Sequence, residues 1–331
     1  MKKVLAMILA TVMAAAVFTG CSSKNGSSST TNSSTASTSS TSSKGPIGIV
    51  VPSADHGWTA AIAYYAEKKV QELGLSEGSG YKLLTASSVN EQANQIDQLI
   101  QLKCSAIVLL PMNDEVSVAA QKIVSAKIPL VVFDRKVNAD YTAYVAGDNK
   151  GIGVKAAEYL GEKLGGKGTI AIMNTPSVGS VNTDRVGGFK DTMKAKYPDI
   201  KLVEVTEDGY TQQAGLKAAT DMLVANKHID AIFSTDDEPS LGILQAVKDA
   251  KRTDVKYISG GGGAQAYFNK MTTEKDIELF TETYSPSMIK DAIQTAYDIV
   301  SGKTVEKETI IAPTFVNKDN ASQFIDASSP Y

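Results

Sequence analysis

Polar and aromatic side chains recur in this sequence just past short apolar runs. His56 and Trp58 follow Ile47–Val51, Asn113 and Asp114 follow Ala106–Leu110, and Asp134 and Arg135 follow Leu130–Phe133. Farther on, Arg185 comes after Thr169–Met173, Tyr210 after Leu202–Thr206, and Asp236 after Ala231–Ser234. Such a set suits a neutral polyol. Carboxylates accept from hydroxyls, while a planar guanidinium donates in a fixed fork to adjacent oxygens. An aromatic face such as that of Trp58, the chain's only tryptophan, covers the C–H face of a sugar ring. Acids mixed with arginines keep a site near neutrality, which disfavours phosphates and free anions. Taken singly, each residue also has a structural reading: Trp58 as core, and Asp134 with Arg135 as a hinge ion pair.

Catalytic signatures are missing. Of two histidines, His56 lies in the first of these loops and His228 reads as a solvated turn residue before a strand. There is no HExxH, CxxC or Gly-x-Ser-x-Gly, and no Walker A sequence. The first βα turn lacks the glycines that let a pyrophosphate approach backbone. Gly260-Gly261-Gly262-Gly263 follows a strand and permits close backbone approach or positive φ, but without the surrounding phosphate fingerprint. Asp236, Asp237 and Glu238 are adjacent, whereas a metal ion needs ligands spread around it. One carboxylate aimed into a cleft, with its neighbours capping the next helix, fits that run better. The expectation is a binding protein, with no enzyme activity, metal or cofactor.

The elements that must position these residues alternate. Ile47–Val51 is β-branched and apolar, as a strand buried on both faces should be. Pro52, Asp55 and Gly57 then break it, and from Thr59 an apolar stripe (Ile62, Tyr65, Ala66, Val70) indicates a helix. Strands follow at Tyr81–Ala86, Ala106–Leu110, Leu130–Phe133 and Tyr144–Ala146, separated by helices at Val89–Leu102 and Glu115–Ala126. A long helix from Ile152 to Leu164 ends at Gly165-Gly166. The rhythm then repeats, with a helix over Gly187–Lys196, after a break near Asp148–Gly153. Strands alternating with helices of this length predict an α/β fold of two similar doubly wound parallel-sheet lobes. In such sheets, ligands sit at the loops leaving the carboxyl ends of strands.

The ends and the charge narrow the setting. Lys2 and Lys3, the apolar run Val4–Phe18, and Thr19-Gly20 before Cys21 read as a secretory signal over residues 1–20. A cysteine at that place resembles a lipobox, so Cys21 is expected to be lipidated. Residues 21–44 are almost wholly Ser, Thr, Asn and Gly, and form a tether too polar to fold. A domain held at the outer face of the cell membrane is implied. The formal charge is −3, and removing residues 1–20, with two lysines and no acid, leaves −5. No basic stripe appears, so nucleic acid is not an expected partner. Cys104 opens an apolar run and reads as a small buried hydrophobe.

At this level of detail the chain resembles the periplasmic sugar-binding proteins of the ribose/galactose type, the extracytoplasmic receptors of ABC importers, from about Gly45 to Thr314. The likeness rests on Ile128-Pro129-Leu130-Val131-Val132-Phe133-Asp134-Arg135, on Arg185-Val186-Gly187-Gly188-Phe189, on Asp237-Glu238 with Leu241-Gly242, and on Tyr284-Ser285-Pro286. Carried over by position, His56 and Trp58 fall at the family's asparagine and stacking aromatic, Asp134 and Arg135 at its hydroxyl-binding pair, and Arg185 at its second arginine. Tyr210 falls at an aromatic, Asp236 at an asparagine, Tyr284 at a glutamine, and Gly261 where many members place an aspartate. The last departures imply that a different hydroxyl pattern is read. The resemblance further implies three crossings between lobes, giving one lobe of 45–148 plus 285–313 and another of 149–284 plus 314–331, with a hinge near Gly147-Asp148-Asn149. It implies a monomer that captures a monosaccharide or related polyol and delivers it to an ABC permease. The alternative is a sensor, which passes occupancy by a sugar or furanosyl autoinducer to a chemoreceptor or kinase. A repressor of the related type needs a DNA-binding helical domain, for which residues 1–44 offer no candidate.

Overall fold

The computed structural model describes residues 45–54 and 57–331. The expectations at Cys21 and His56 lie outside them. Among the described residues, strands form two six-stranded sheets. The first takes β1 (Ile47–Pro52), β2 (Tyr81–Ala86), β3 (Ala106–Leu109), β4 (Leu130–Phe133) and β5 (Ala143–Gly147). The second takes β6 (Gly168–Asn174), β7 (Ile200–Thr206), β8 (Ala231–Phe233), β9 (Tyr257–Ser259) and β10 (Glu278–Glu282). Then β11 (Glu308–Ile311) returns to the edge of the first sheet, beside β5, and β12 (Phe315–Asn317) joins the edge of the second, beside β10. The pairings are parallel except that of β12, which runs antiparallel to β10.

Helices cover both faces. In the first lobe these are α1 (Gly57–Glu72), α2 (Val89–Gln101) and α3 (Ser117–Ser125). In the second they are α4 (Asn149–Lys163), α5 (Ser180–Lys196), α6 (Gln212–Ala225), α7 (Asp237–Asp249) and α8 (Gln265–Thr273), after which α9 (Ile289–Val300) packs back on the first sheet. The strands show why. Ile49 and Val51 of β1 face a core with Ile62 and Ala66 of α1 and Ile293 of α9, whereas Val50 faces Ile96, Leu99 and Ile123 of α2 and α3. In the second sheet Ala171 and Met173 point one way, while Ile170 and Ile172 point the other, toward Leu160 and Phe189. A strand with apolar side chains on both faces needs a helix layer on each.

The chain passes between the sheets three times: after β5, after β10, and between β11 and β12. These crossings are bonded to one another. Asp148 N donates to Ile311 O at 2.9 Å, and Thr283 N to Thr314 O at 2.9 Å, with Thr314 N returning to Thr283 Oγ1 at 2.9 Å. Asp148 also starts α4, its carboxylate accepting from Gly151 N at 2.7 Å.

Two elements differ from expectation. Helix α5 begins at Ser180, seven residues before Gly187, because Ser180 to Arg185 carries few apolar residues and so gives no stripe to read. Strand β12 was not expected at all: three residues held by an antiparallel edge pairing leave little periodicity. Cys104 is 4 % exposed, and burial pushes its thiol up to about 11. His228 is largely exposed beside Asp230 and Asp254.

Candidate functional site

The carboxyl ends of both sheets open onto a shared cleft of about 460 Å³. Its walls are the segments that follow β1 (Trp58), β3 (Met112), β4 (Asp134, Arg135), β6 (Val181, Arg185), β7 (Tyr210), β8 (Asp236), β9 (Gly261) and β10 (Tyr284). Eight of the nine residues that the resemblance places in a site thus line one cavity. His56 is not among the described residues. Asn113 and Asp114 do not reach it: the Asn113 side chain caps a 3-10 turn at Asp114–Val116, accepting from Glu115 N at 3.0 Å.

On the first lobe, Trp58 sits in the first turn of α1 and is 7 % exposed. Its Nε1 donates to Tyr284 O at 2.8 Å, and its ring lies parallel to Phe133, 6.3 Å between centroids. It is core and cleft wall at once. Asp134 directly follows β4 with φ +64°, a left-handed conformation that costs most residues energy and that aspartate tolerates better than most. The strain is held by neighbours. Asp134 N donates to Val145 O at 2.9 Å, its carbonyl accepts from Tyr144 Oη at 2.7 Å, and Oδ1 accepts from Tyr284 Oη at 2.5 Å. Arg135 makes only a loose ion pair with it, Nε to Oδ2 at 3.7 Å, while Nη1 is fixed on Met112 O at 2.5 Å.

On the second lobe, Arg185 stands in the second turn of α5 rather than in a loop, and is 2 % exposed. Nε donates to Asn149 Oδ1 at 2.9 Å, and Nη1 to Thr235 O at 2.6 Å and Gly261 O at 3.3 Å. Its carbon Cζ lies 4.9 Å from the centre of the Tyr284 ring. Two nitrogens of the guanidinium are thus fixed on the second lobe's own carbonyl and amide oxygens. Burial alone would lower this pKa, but Tyr210, Asp236 and Tyr284 raise it, and the guanidinium stays charged. Burial pushes Tyr210 up to about 12.

The acidic run resolves into three separate roles, differing from the expected pair of caps. Asp236 itself is the N-cap of α7, accepting from Glu238 N at 2.9 Å, while also lining the cleft. Asp237 turns inward and is fully buried. Its Oδ1 accepts from Gly261 N at 2.9 Å and Thr281 Oγ1 at 2.6 Å, and Oδ2 from Gly263 N at 2.6 Å and Ala264 N at 2.7 Å. Burial raises its pKa and these four donors oppose the rise. Glu238 crosses the lobes, Oε1 accepting from Gly57 N at 2.8 Å.

The glycine run is explained by that carboxylate. A Cβ at Gly260 would stand 1.9 Å from Asp237 Oδ1, and one at Gly261 2.8 Å from Thr235 O and 3.0 Å from Arg185 Nη1. A side chain at 261 would crowd the Thr235 carbonyl and the Arg185 guanidinium.

Several lining residues gave no sequence signal. Met112, Val178 and Val181 are ordinary apolar residues; Asn149, expected only as part of the hinge, bridges Arg185 Nε (2.9 Å) to Tyr284 Oη (3.3 Å). Asp208 sits in the turn signal Glu207-Asp208-Gly209 beside Tyr210 and could have been found from it.

A family model described as a periplasmic binding protein domain matches residues 47–304. The xylitol-binding protein of Mycolicibacterium smegmatis is 28% identical over 243 residues, covering 72% of this chain and 69% of that one. The D-apiose import binding protein of Actinobacillus succinogenes is 31% identical over 226 residues, covering 66% of this chain and 70% of its own length. Among solved structures, an ABC transporter periplasmic solute binding protein from Actinobacillus succinogenes with bound D-allose superposes with a TM-score of 0.75 at 23% identity. That match covers 85% of this chain and 100% of the other, and speaks to the fold.

Proposed function

We infer what this chain does from one premise: it belongs to the periplasmic binding protein domain family. The proposed role is that of an extracytoplasmic solute-binding protein that takes a neutral monosaccharide or polyol between two lobes and delivers it to an ABC permease. It is a receptor, with no catalytic step. The observation that carries this reading is the cleft itself, where carboxylates, two guanidinium groups and an indole from both lobes converge on about 460 Å³. A ligand touching both lobes stabilises the closed form over the open one, and that difference is what a permease can read.

The proposed ligand contacts are Trp58, Asp134, Arg135, Arg185, Tyr210, Asp236, Gly261 and Tyr284, together with His56, which lies outside the described residues. The lobes are assigned as 45–148 plus 285–313 and 149–284 plus 314–331, supported by β11 lying in the first sheet and β12 in the second. Cys21 is proposed as a lipid anchor that holds the monomer at the membrane through the 21–44 tether. Relatives that serve import favour an importer over a sensor.

A thermal-melt screen against xylitol, D-apiose, D-ribose, D-allose and myo-inositol tests the reading. A ligand at about 100 times its dissociation constant stabilises the folded state by about 2.7 kcal/mol, a clear shift in melting temperature. No shift with any pentose, hexose or polyol, each at tens of millimolar, would remove the polyol reading.

A further inference from the structure

The segment 324–331 joins the lobes by a route separate from the three crossings. Gln265 of α8, in the second lobe, holds its start: Nε2 donates to Phe324 O at 3.2 Å, and Oε1 accepts from Asp326 N at 2.7 Å. The Phe324 ring packs on Phe268 of the same helix, 5.7 Å between centroids. Two residues beyond Asp326 the segment reaches α1 in the first lobe. Tyr64 Oη donates to Ser328 O at 3.3 Å, and Tyr65 Oη lies 2.9 Å from Ser329 Oγ. Ser329 Oγ in turn donates to Tyr331 O at 2.6 Å.

That turn sends the Tyr331 ring inward, where it is 6 % exposed. It occupies space that only glycines leave. A Cβ at Gly57 would stand 3.1 Å from the ring, and one at Gly262 2.3 Å from the hydroxyl. Gly57 precedes Trp58 in the first lobe, and Gly262 lines the cleft in the second. The Glu238 to Gly57 bond completes the same seam.

We propose that residues 324–331 form a strap across the lobe seam, with Tyr331 as a positioning residue that holds the start of α1 at Gly57 against the Gly260–Gly263 loop and so sets how readily the cleft opens. Drawing Gly57 away from Gly262 returns a buried aromatic surface of roughly 150–250 Å² to water, a cost borne by the open form alone. Phe324 and Asp326 keep the strap on α8 while Ser328 and Ser329 grip α1, so it must slip from one lobe for the other to move.

Spin labels at Val118→Cys on α3 and Val224→Cys on α6, in a Cys21→Ser background, test this by pulsed dipolar distance measurement. Both sites are highly exposed, at 72 % and 84 %, and Cys104 is too buried to label. Without any sugar added, Tyr331→Ala and deletion of 326–331 should each raise a longer-distance population by on the order of tenfold, as loss of a contact present in only one of two states requires. Tyr65→Phe, which keeps the ring and loses the bond to Ser329, should give a smaller rise and serves if the larger changes do not fold. Identical distance distributions in the folded variants and the intact chain would overturn the strap. Because no ligand enters the measurement, its failure would leave the polyol reading standing.

Discussion

The hydroxyl of Tyr284 lies 2.5 Å from Asp134 Oδ1, joining the second crossing between lobes to the turn after β4. Asn149 donates to the same hydroxyl at 3.3 Å, and Arg185 covers the ring. One phenol therefore holds a strained aspartate on one lobe and the helix starts of the other. The residue that shapes the end of the cleft is also the residue around which the lobes are joined.

Replacing Tyr284 with Phe keeps the ring and removes the hydroxyl. Asp134 Oδ1 then loses its donor while buried, at a cost of roughly 1–3 kcal/mol. A urea titration should show the midpoint falling with an unchanged slope. A midpoint equal to that of the intact protein would mean the bond carries no stability.

Gly147 ends β5 against this ring, and a Cβ there would stand 2.3 Å from Tyr284 Cε2. Tyr284 is fixed at both its hydroxyl and its ring face, so Gly147→Ala should cost on the order of 1–3 kcal/mol by overpacking. The Tyr284→Phe background, where the ring can retreat, should tolerate it better. Equal costs in the two backgrounds would speak against a fixed ring.

Asp237→Asn places an amide where four donors converge. Two of them must then face an N–H group, and breaking such a buried charged hydrogen-bond set costs roughly 3–5 kcal/mol. Because three of the four come from Gly261, Gly263 and Ala264, ligand affinity should fall along with stability. Calorimetry on a variant that retains full affinity would separate the loop from the site.

Glu207 gives a pH signature. It is 1 % exposed, Oε2 accepts from Thr175 Oγ1 at 3.1 Å, and Oε1 has no partner among the described residues. Burial raises its pKa from 4.5 to about 7, against the Thr175 bond and with help from Asp208. A raised carboxyl favours the protonated folded state, so its contribution is full below about 4.5 and is lost as pH climbs to 7. The intact protein should lose on the order of 1–3 kcal/mol across that window relative to Glu207→Gln. Parallel stability curves for the two proteins would refute the assignment.

The alternation of strands and helices was legible because each strand is apolar on both faces, and the site was legible because its polar residues follow strand ends. Arg185 was found through its motif, although the start of its helix was not: six mainly polar residues hid the first turns of α5. Asp237 was misread as a cap because its partners, the 261–264 backbone, are more than twenty residues away and glycines announce no acceptor. Tyr331 offered nothing to read, since its burial depends on two glycines from opposite lobes. Contacts made across the fold by unremarkable residues are what periodicity and motif do not carry.

Trp58, as the only tryptophan and a wall of the cleft, reports directly on whether the cleft is the binding site. Its emission should be followed as the polyol that shifts the melting curve is titrated into the intact protein and into Arg135→Ala, with circular dichroism confirming both folds. A saturable change is expected in the intact protein, and none at the same concentrations in the variant. A ligand that stabilises both proteins equally, with Trp58 emission flat, would place binding elsewhere and contradict the assignment of this cleft.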